Sequence, residues 1–155
     1  MTVNAPHLLL IEDNPDHAEL IRRQLEQFPD GVRLHHVEDG EAALDYIFGK
    51  GNFSNRDRFP FPAAVLLDLR LPRVDGLEVL RLIKTQPQFE KLPIVVLTSS
   101  DAENDVAQSF GLRADGFLTK PIELETLQKL LGSLGFGQGL IAPEIMTRQN
   151  LNCPS

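Results

Sequence analysis

A set of polar residues, far apart in the chain, combines the side-chain types that act on phosphoryl groups. It contains carboxylates, a hydroxyl and an ammonium group, which belong to Glu12, Asp13, Asp68, Thr98 and Lys120. These residues stand at the ends of short, mostly apolar runs: LLLI, AVLL, IVVL and GFLT. If those runs are parallel strands, their carboxyl ends meet at one edge of the sheet, where ligands of such sheets bind. We therefore expect these side chains to share one pocket.

The charge of these groups indicates what the pocket would bind. Three ionised carboxylates and one lysine leave a charge of −2, and two like charges ~4 Å apart repel each other by about 4 kcal/mol at an effective dielectric constant of about 20. A divalent cation would neutralise the excess, and oxygen ligands with open positions suit Mg²⁺. A carboxylate beside Mg²⁺ can attack phosphorus to form an aspartyl phosphate, and Thr98 and Lys120 have the types needed to neutralise the transferring oxygens.

The elements that must position this pocket are predicted from the apolar residues. Continuous apolar runs are typical of strands in a parallel sheet that is covered on both faces. We predict strands at residues 8–11, 32–37, 64–67, 94–97 and 116–119. Between and after them, apolar residues recur at helical spacing. The five predicted helices contain the following residues: Ala18, Ile21, Leu25 and Phe28; Leu44, Ile47 and Phe48; Leu80 and Ile83; Val106 and Phe110; Leu124, Leu127, Leu131 and Leu134.

Strands and helices that alternate in this way predict an α/β fold, a doubly wound (βα)5 sandwich with a five-stranded parallel sheet between two helical layers. The domain is predicted at residues 7–134, between an N-terminal extension at 1–6 and a C-terminal tail at 135–155. The loop at residues 49–62 exceeds the ~2–6 residues that are usual between a helix and a strand.

Composition excludes several classes of protein. The chain has 155 residues and a net charge of −7, so it would repel phosphate backbones and anionic lipid. No segment reaches the ~20 apolar residues needed to span a bilayer, and the single cysteine cannot form an internal disulfide. The histidines lack metal-ligand spacing, and we expect them to be solvated or packed. We expect a cytoplasmic protein that binds neither nucleic acid nor membrane.

At the level of motifs, the chain resembles the receiver domain of two-component response regulators, which has the flavodoxin/CheY-like fold. The resemblance rests on the five polar positions above, on DLRLPRVDG at residues 68–76 and on ADGFLTKP at residues 114–121. It covers residues 7–134. It implies a phosphoacceptor signalling protein rather than an enzyme.

The resemblance also implies roles for single residues. Asp68 would accept a phosphoryl group from a histidine kinase. Asp13 and Asp68 would ligate Mg²⁺ directly, Glu12 would do so through water, and the backbone carbonyl of Arg70 would complete the protein ligands.

Further implied roles concern the phosphoryl oxygens and the response to phosphorylation. Thr98 and Lys120 would hold these oxygens, and Phe117 would turn inward when the Thr98 hydroxyl moves toward the phosphoryl group. The peptide bond before Pro121 would be cis, although only ~5–6% of X–Pro bonds are. The surface that changes would comprise the fourth helix, the last strand and the last helix. The protein could form a homodimer through the face of the fourth helix and the last strand.

The loop at residues 49–62 leaves two interpretations open. It carries aromatic and basic residues, namely Phe53, Arg56, Arg58, Phe59 and Phe61. They could pack on their own domain, or they could recognise a partner. The lengthened loop, after LDYIFGKG, resembles that of the single-domain regulators that pair with cyanobacterial phytochrome histidine kinases. This resemblance implies that a red-light photoreceptor kinase is the phosphoryl donor.

Other classes are weighed against this interpretation. A haloacid-dehalogenase-like phosphatase would have an acidic residue at position 70, where this chain has arginine. A flavodoxin-like cofactor binder would need a Ser/Thr-rich loop in place of Glu12 and Asp13. A degenerate receiver would act only as a binding scaffold, but every key side chain is present. The residues after Leu134 are too few for a DNA-binding domain, so we expect output through protein–protein contacts.

Overall fold

The predicted alternation of strands and helices is present in a computed structural model that describes residues 6–28, 31–71, 75–98 and 114–134. The elements are β1 (His7–Ile11), α1 (Pro15–Leu25), β2 (Arg33–Val37), α2 (Gly40–Phe48), β3 (Ala64–Asp68), α3 (Gly76–Lys84), β4 (Ile94–Thr98), β5 (Gly116–Thr119) and α4 (Leu124–Ser133). Two single 3-10 turns, Gly51–Phe53 and Pro87–Phe89, precede β3 and β4.

The strands form one parallel sheet in the order β2-β1-β3-β4-β5. Strands β3 and β4 are buried at every position, which explains why their sequences are continuously apolar. The edge strand β2 is only partly buried, and three of its five residues, Arg33, His35 and His36, are polar. The predicted α/β fold with a five-stranded parallel sheet is thus confirmed.

The core is divided into two layers by the sheet. Successive side chains of a strand point to opposite faces, so Leu8 and Leu10 pack with α1 and α4, whereas Leu9 and Ile11 pack with α2 and α3. These four side chains are fully buried. Full burial of one such side chain stabilises the fold by about 1.5–3 kcal/mol. Both faces of β1 are therefore anchored, which fixes the residues that follow it.

Local signals begin and end the helices. The Asn14 side chain accepts hydrogen bonds from the backbone N–H groups of Asp16 (2.8 Å) and His17 (3.2 Å), and Pro15 occupies the first helical position of α1. Phe28, which shares the predicted apolar row of this helix, lies beyond its end. A tight turn, with Phe28 N–H bonded to the Leu25 carbonyl at 3.1 Å, still buries the ring.

Some predicted features fall outside the described residues. They are the fourth predicted helix, with Val106 and Phe110, the C-terminal tail at 135–155 and most of the N-terminal extension. The domain boundaries at 7 and 134 remain predictions. Among the helices that are described, none combines the length and the apolar character needed to cross a bilayer.

Candidate functional site

The polar residues singled out above lie at the carboxyl edge of the sheet. Asp68 and Thr98 are the last residues of β3 and β4, Glu12 directly follows β1, and Lys120 directly follows β5. Because β1, β3, β4 and β5 are successive neighbours in the sheet, their ends bring these four residues to one place. Their order along the edge, Glu12, Asp68, Thr98 and Lys120, is that of the strands they end or follow.

Three carboxylates meet at the centre of the site. Glu12, Asp13 and Asp68 each offer an oxygen atom, and these atoms all lie within 4.8 Å of one another. Glu12 and Asp68 are buried, whereas Asp13 is exposed. The group therefore opens to solvent on one side, as a site for a partly hydrated cation requires.

Lys120 reaches across the two buried carboxylates. Its Nζ donates hydrogen bonds to Glu12 Oε1 at 2.8 Å and to Asp68 Oδ2 at 2.9 Å. Burial by itself would lower the pKa of Lys120, but its bonds to the two carboxylates outweigh that effect and raise the pKa. Lys120 is therefore a fixed positive charge beside Asp68.

The buried acid Glu12 shows that negative charge is in excess at the site. Burial, followed by the hydrogen bond and the charge of Asp68, raises the pKa of Glu12 to about 7, although Lys120 opposes this shift. One ammonium group therefore does not compensate the buried pair of carboxylates. Additional positive charge would be stabilising here.

The Thr98 hydroxyl is one of two buried side-chain polar atoms that the described residues leave without a partner; the other, Gln24 Oε1, is not among the site residues. The residue is fully buried, and its Oγ1 makes no hydrogen bond within the described ranges. An unpaired buried hydroxyl costs about 1–3 kcal/mol. Its backbone carbonyl accepts a hydrogen bond from Lys120 N–H at 2.7 Å, so the hydroxyl lies next to the strand end that carries Lys120. The site can thus donate one more hydrogen bond to an oxygen-rich ligand.

The loop after β3 orients Asp68. Its Oδ1 accepts a hydrogen bond from the backbone N–H of Arg70 at 2.9 Å. Gly76 N–H donates to the Leu69 carbonyl at 3.2 Å. A Cβ atom at position 76 would lie 2.6 Å from the Leu69 backbone, which is closer than non-bonded atoms approach. Glycine thus permits the close return of the chain that holds Asp68 in place.

Two of the expected residues lie on β5 or directly after it. The peptide bond between Lys120 and Pro121 is cis, the isomer expected from the resemblance. Phe117 is half-buried in β5 and packs against the core layer that contains α2 and α3. Its role in a switch remains a prediction.

The loop at residues 49–62 packs largely on its own domain. Phe53 and Phe59 surround the Tyr46 ring with centroids 5.1 and 6.0 Å away. Arg56 donates to the backbone carbonyl of Ile47 at 2.8 Å and to that of Phe59 at 3.1 Å. Phe53, Arg56 and Phe59 therefore have structural contacts.

Two other loop residues remain exposed. Phe61 is 43% exposed, although its ring stacks on Phe89 at 5.5 Å. Arg58 is exposed, with its guanidinium over the Phe59 ring. Of the five aromatic and basic loop residues named above, these two are the exposed ones.

A histidine that the sequence analysis treated as solvated or packed belongs to the site. His17 lies in the first turn of α1, and its Nδ1 is 3.0 Å from Lys120 Nζ. Together with Leu20, Ile21 and Pro121 it lines an open, mostly apolar groove of about 330 Å³ beside Lys120. The sequence signal for this contact is the position of His17, four residues after Asp13. It lies in the first turn of the helix that follows β1, and therefore near the carboxyl end of that strand.

Comparison with known proteins identifies the family. Residues 8–132 match the family described as the response regulator receiver domain. The chain belongs to this family. Receiver domains are phosphoacceptor signalling modules rather than enzymes, which sets aside the phosphatase alternative, and the match likewise sets aside the flavodoxin-like one.

Two related receiver proteins cover most of the chain. The probable methanogenesis regulatory protein FilR2 of Methanothrix harundinacea (strain 6Ac) is 39% identical over 122 residues, 79% of this chain and 76% of that protein. Response regulator Rcp1 of Synechocystis sp. is 37% identical over 124 residues, 80% of this chain and 82% of that protein.

Solved receiver structures agree with this assignment. The bacteriophytochrome response regulator AtBRR has a TM-score of 0.78 and 40% identity, covering 86% of this chain and 94% of that one. The phosphorylated cyanobacterial phytochrome response regulator RcpA has a TM-score of 0.72 and 33% identity, covering 87% and 95%. The Mn²⁺-bound form of Rcp1 has a TM-score of 0.69 and 35% identity, covering 82% and 90%. The expected resemblance to phytochrome response regulators is confirmed.

Proposed function

We propose that this receiver domain accepts a phosphoryl group on Asp68 from a histidine kinase. The observation that carries the proposal is the arrangement around Asp68. This carboxylate lies against the Lys120 ammonium, at 2.9 Å, and beside the carboxylates of Glu12 and Asp13. The buried Thr98 hydroxyl, unpaired among the described residues, supplies a further donor for a phosphoryl oxygen.

The proposed transfer exchanges one bond for another. A carboxylate oxygen of Asp68 attacks the phosphorus of the kinase's phosphohistidine, so a P–O bond forms while the P–N bond breaks. The electron pair of that P–N bond remains on the imidazole nitrogen. The Lys120 ammonium and the Thr98 hydroxyl offset the charge of the phosphoryl oxygens. Attack by water on the same phosphorus later releases inorganic phosphate and restores the Asp68 carboxylate.

The donor set also fits a divalent cation. Clustered carboxylates, that of Asp13 exposed, suit Mg²⁺, and burial together with Asp68 raises the pKa of Glu12, so that a nearby cation would favour its carboxylate form. We propose that Asp13 and Asp68, Glu12 through water and the backbone carbonyl of Arg70 hold Mg²⁺. When bound, Mg²⁺ would supply positive charge to the phosphoryl oxygens.

The partner proposed is a phytochrome histidine kinase. Support comes from the similarity to AtBRR, RcpA and Rcp1 and from the exposed loop residues Arg58 and Phe61. The output proposed is a change of protein–protein contacts on the surface that includes β5 and α4. Movement of Thr98 toward the phosphoryl group would free space for Phe117, and homodimer formation through this surface belongs to the same proposal.

Phosphorylation by a small donor tests the central claim. Incubation with Mg²⁺ and acetyl phosphate should add the mass of one phosphoryl group to the intact protein, with acetate leaving. Asp68→Asn should gain nothing, whereas Asp16→Asn, which changes an exposed carboxylate in α1, should gain as much as wild type. Equal gain in Asp68→Asn would exclude Asp68 as the acceptor, and no gain in wild type would favour the scaffold alternative.

Phosphotransfer profiling tests the kinase partner. Purified histidine kinases of the source organism are phosphorylated with labelled ATP and mixed in turn with the receiver domain for short times. We expect a phytochrome kinase to transfer its label fastest and to do so to Asp68. Preferential transfer from a kinase without a photoreceptor domain would contradict the phytochrome proposal while leaving the phosphoacceptor proposal intact.

A further inference from the structure

We propose that His17 is a positioning residue that holds the Lys120 ammonium in place for phosphoryl transfer. This inference rests on the function proposed above, because it concerns the same transfer to Asp68. It adds a residue that neither the five polar positions nor the motifs of the chain include.

The position of His17 is set by the start of α1. Asn14 caps the helix and accepts a hydrogen bond from the His17 backbone N–H at 3.2 Å, so the first turn has little freedom. The imidazole is directed from this turn toward the end of β5, where its Nδ1 lies 3.0 Å from Lys120 Nζ. The first turn of α1 thus places the ring beside Lys120.

The distances select one partner for the ring. His17 Nδ1 lies 3.7 Å from Glu12 Oε2, which is too long for a hydrogen bond, whereas 3.0 Å to Lys120 Nζ is an ordinary one. The ammonium group is a donor without acceptor capacity. His17 therefore accepts at Nδ1, which requires the tautomer that carries its proton on Nε2.

The bond completes the coordination of the lysine. An ammonium group has three hydrogens, and Glu12, Asp68 and His17 accept one each at 2.8, 2.9 and 3.0 Å. The Lys120 side chain is only 13% exposed. A lysine side chain has several rotatable bonds, so three acceptors define its end far better than two.

The third acceptor matters most when Asp68 changes during transfer. During transfer Asp68 becomes esterified, and Lys120 must turn a hydrogen from a carboxylate to a phosphoryl oxygen. The His17 contact lies outside the reacting groups and can persist through this exchange. It would keep Nζ near the transferring oxygens and so act on the rate of transfer more than on cation binding.

Two substitutions with acetyl phosphate as donor separate this role from a general effect on the helix. His17→Asn keeps an acceptor near the position of Nδ1, whereas His17→Leu keeps bulk and removes the acceptor. At saturating Mg²⁺ and acetyl phosphate, we expect His17→Leu to be slower than wild type by about three- to ten-fold, the effect of one lost hydrogen bond. We expect His17→Asn to lie within about two-fold of wild type, and the Mg²⁺ concentration for half-maximal rate to be unchanged in both. Arg22→Leu, an exposed change in α1, is the matched control.

The contact itself is measured by the ¹⁵N resonances of His17 and Lys120 in the wild-type protein. We expect the Nε2–H tautomer of His17 and a Lys120 Nζ signal that shifts in His17→Leu but returns toward wild type in His17→Asn. A wild-type His17 with its proton on Nδ1, or a His17→Asn variant as slow as His17→Leu, would overturn the proposal. Failure of wild type to become phosphorylated would contradict the proposed function, whereas the resonances would still decide the contact.

Discussion

Under the proposed function, the buried hydroxyl of Thr98 serves the phosphorylated state at the expense of the resting one. Its Oγ1 is unpaired within the described residues, and a valine of the same shape would remove the unpaired group. We expect Thr98→Val to raise the free energy of unfolding of the unphosphorylated protein by about 1 kcal/mol, as measured by urea denaturation. Thr119→Val, at an exposed position of β5, should have little effect.

The same substitution tests the proposed output. Thr98→Val and Thr98→Ala should still gain a phosphoryl group on Asp68, because the attacking oxygen is intact. They should not show the phosphorylation-dependent change in self-association or partner binding. A normal change in both variants would refute the link between Thr98 and the surface that includes Phe117.

At the scale of the elements, the loop between β3 and α3 connects stability to the site. A Cβ atom on Gly76 would lie 2.6 Å from Leu69 and 2.7 Å from the Asp68 carbonyl oxygen. We expect Gly76→Ala to reduce the free energy of unfolding by about 1–3 kcal/mol and to slow phosphorylation by acetyl phosphate. Gly132→Ala, within α4, should instead stabilise the helix by up to about 1 kcal/mol. An undisturbed rate in Gly76→Ala would show that the loop accommodates the methyl group without moving Asp68.

The pairing of β1 with β2 includes a contact between two histidines that should make stability depend on pH. His7 Nδ1 and His35 Nε2 are 2.9 Å apart, and the rings stack at 5.1 Å. Burial lowers the pKa of both rings; the charge of Arg33 lowers both further, and the His7 ring also lowers that of His35. The unfolded chain therefore binds more protons than the native one as the pH falls below about 6.5. The stabilisation by this pair is present above that pH and is lost as the pH falls through the native pKa values.

Urea denaturation at several pH values between 7.5 and 5 tests this expectation. His35→Phe keeps the ring and its contact with Tyr46 but cannot be protonated, so it should lose less stability than wild type over this range. Glu12, whose native pKa is raised to about 7, changes stability in the opposite direction, but it does so equally in both proteins. Parallel curves for the two proteins would contradict the assignment to the histidine pair.

At the scale of the whole molecule, the candidate site and a cluster of packing contacts occupy opposite edges of the sheet. The proposed phosphoryl site lies at the carboxyl edge. At the other edge, Asp115 accepts hydrogen bonds from Lys84 Nζ at 3.1 Å and from the Ile94 backbone N–H at 2.8 Å. The central strands β3 and β4 between these edges are buried at every position.

Recognition by a kinase should depend on the exposed part of the loop at residues 49–62. Because Phe53, Arg56 and Phe59 pack around Tyr46, deleting the loop would disturb the core. Arg58→Ser and Phe61→Ser change only exposed side chains. We expect the double variant to be phosphorylated by a cognate phytochrome kinase at least about three-fold more slowly, as the loss of peripheral contacts predicts, but normally by acetyl phosphate. If the double variant were phosphorylated as fast as wild type by both donors, the exposed loop side chains would have no role in kinase recognition.

The sequence by itself determined the fold class, the five strands and the types of the residues at their ends. Continuous apolar runs that alternate with helical patterns are typical of strands in a doubly covered parallel sheet, and the topology of such a sheet brings their carboxyl ends together. Only the tertiary structure decided which groups share the lysine, because the hydrogen bonds of Lys120 join it to residues 52 (Asp68), 103 (His17) and 108 (Glu12) positions away in the chain. The tertiary structure also decided that the aromatic loop packs around Tyr46. Aromatic and basic side chains suit a core as well as an interface, and their burial depends on neighbours in space that the periodicity of the sequence does not specify.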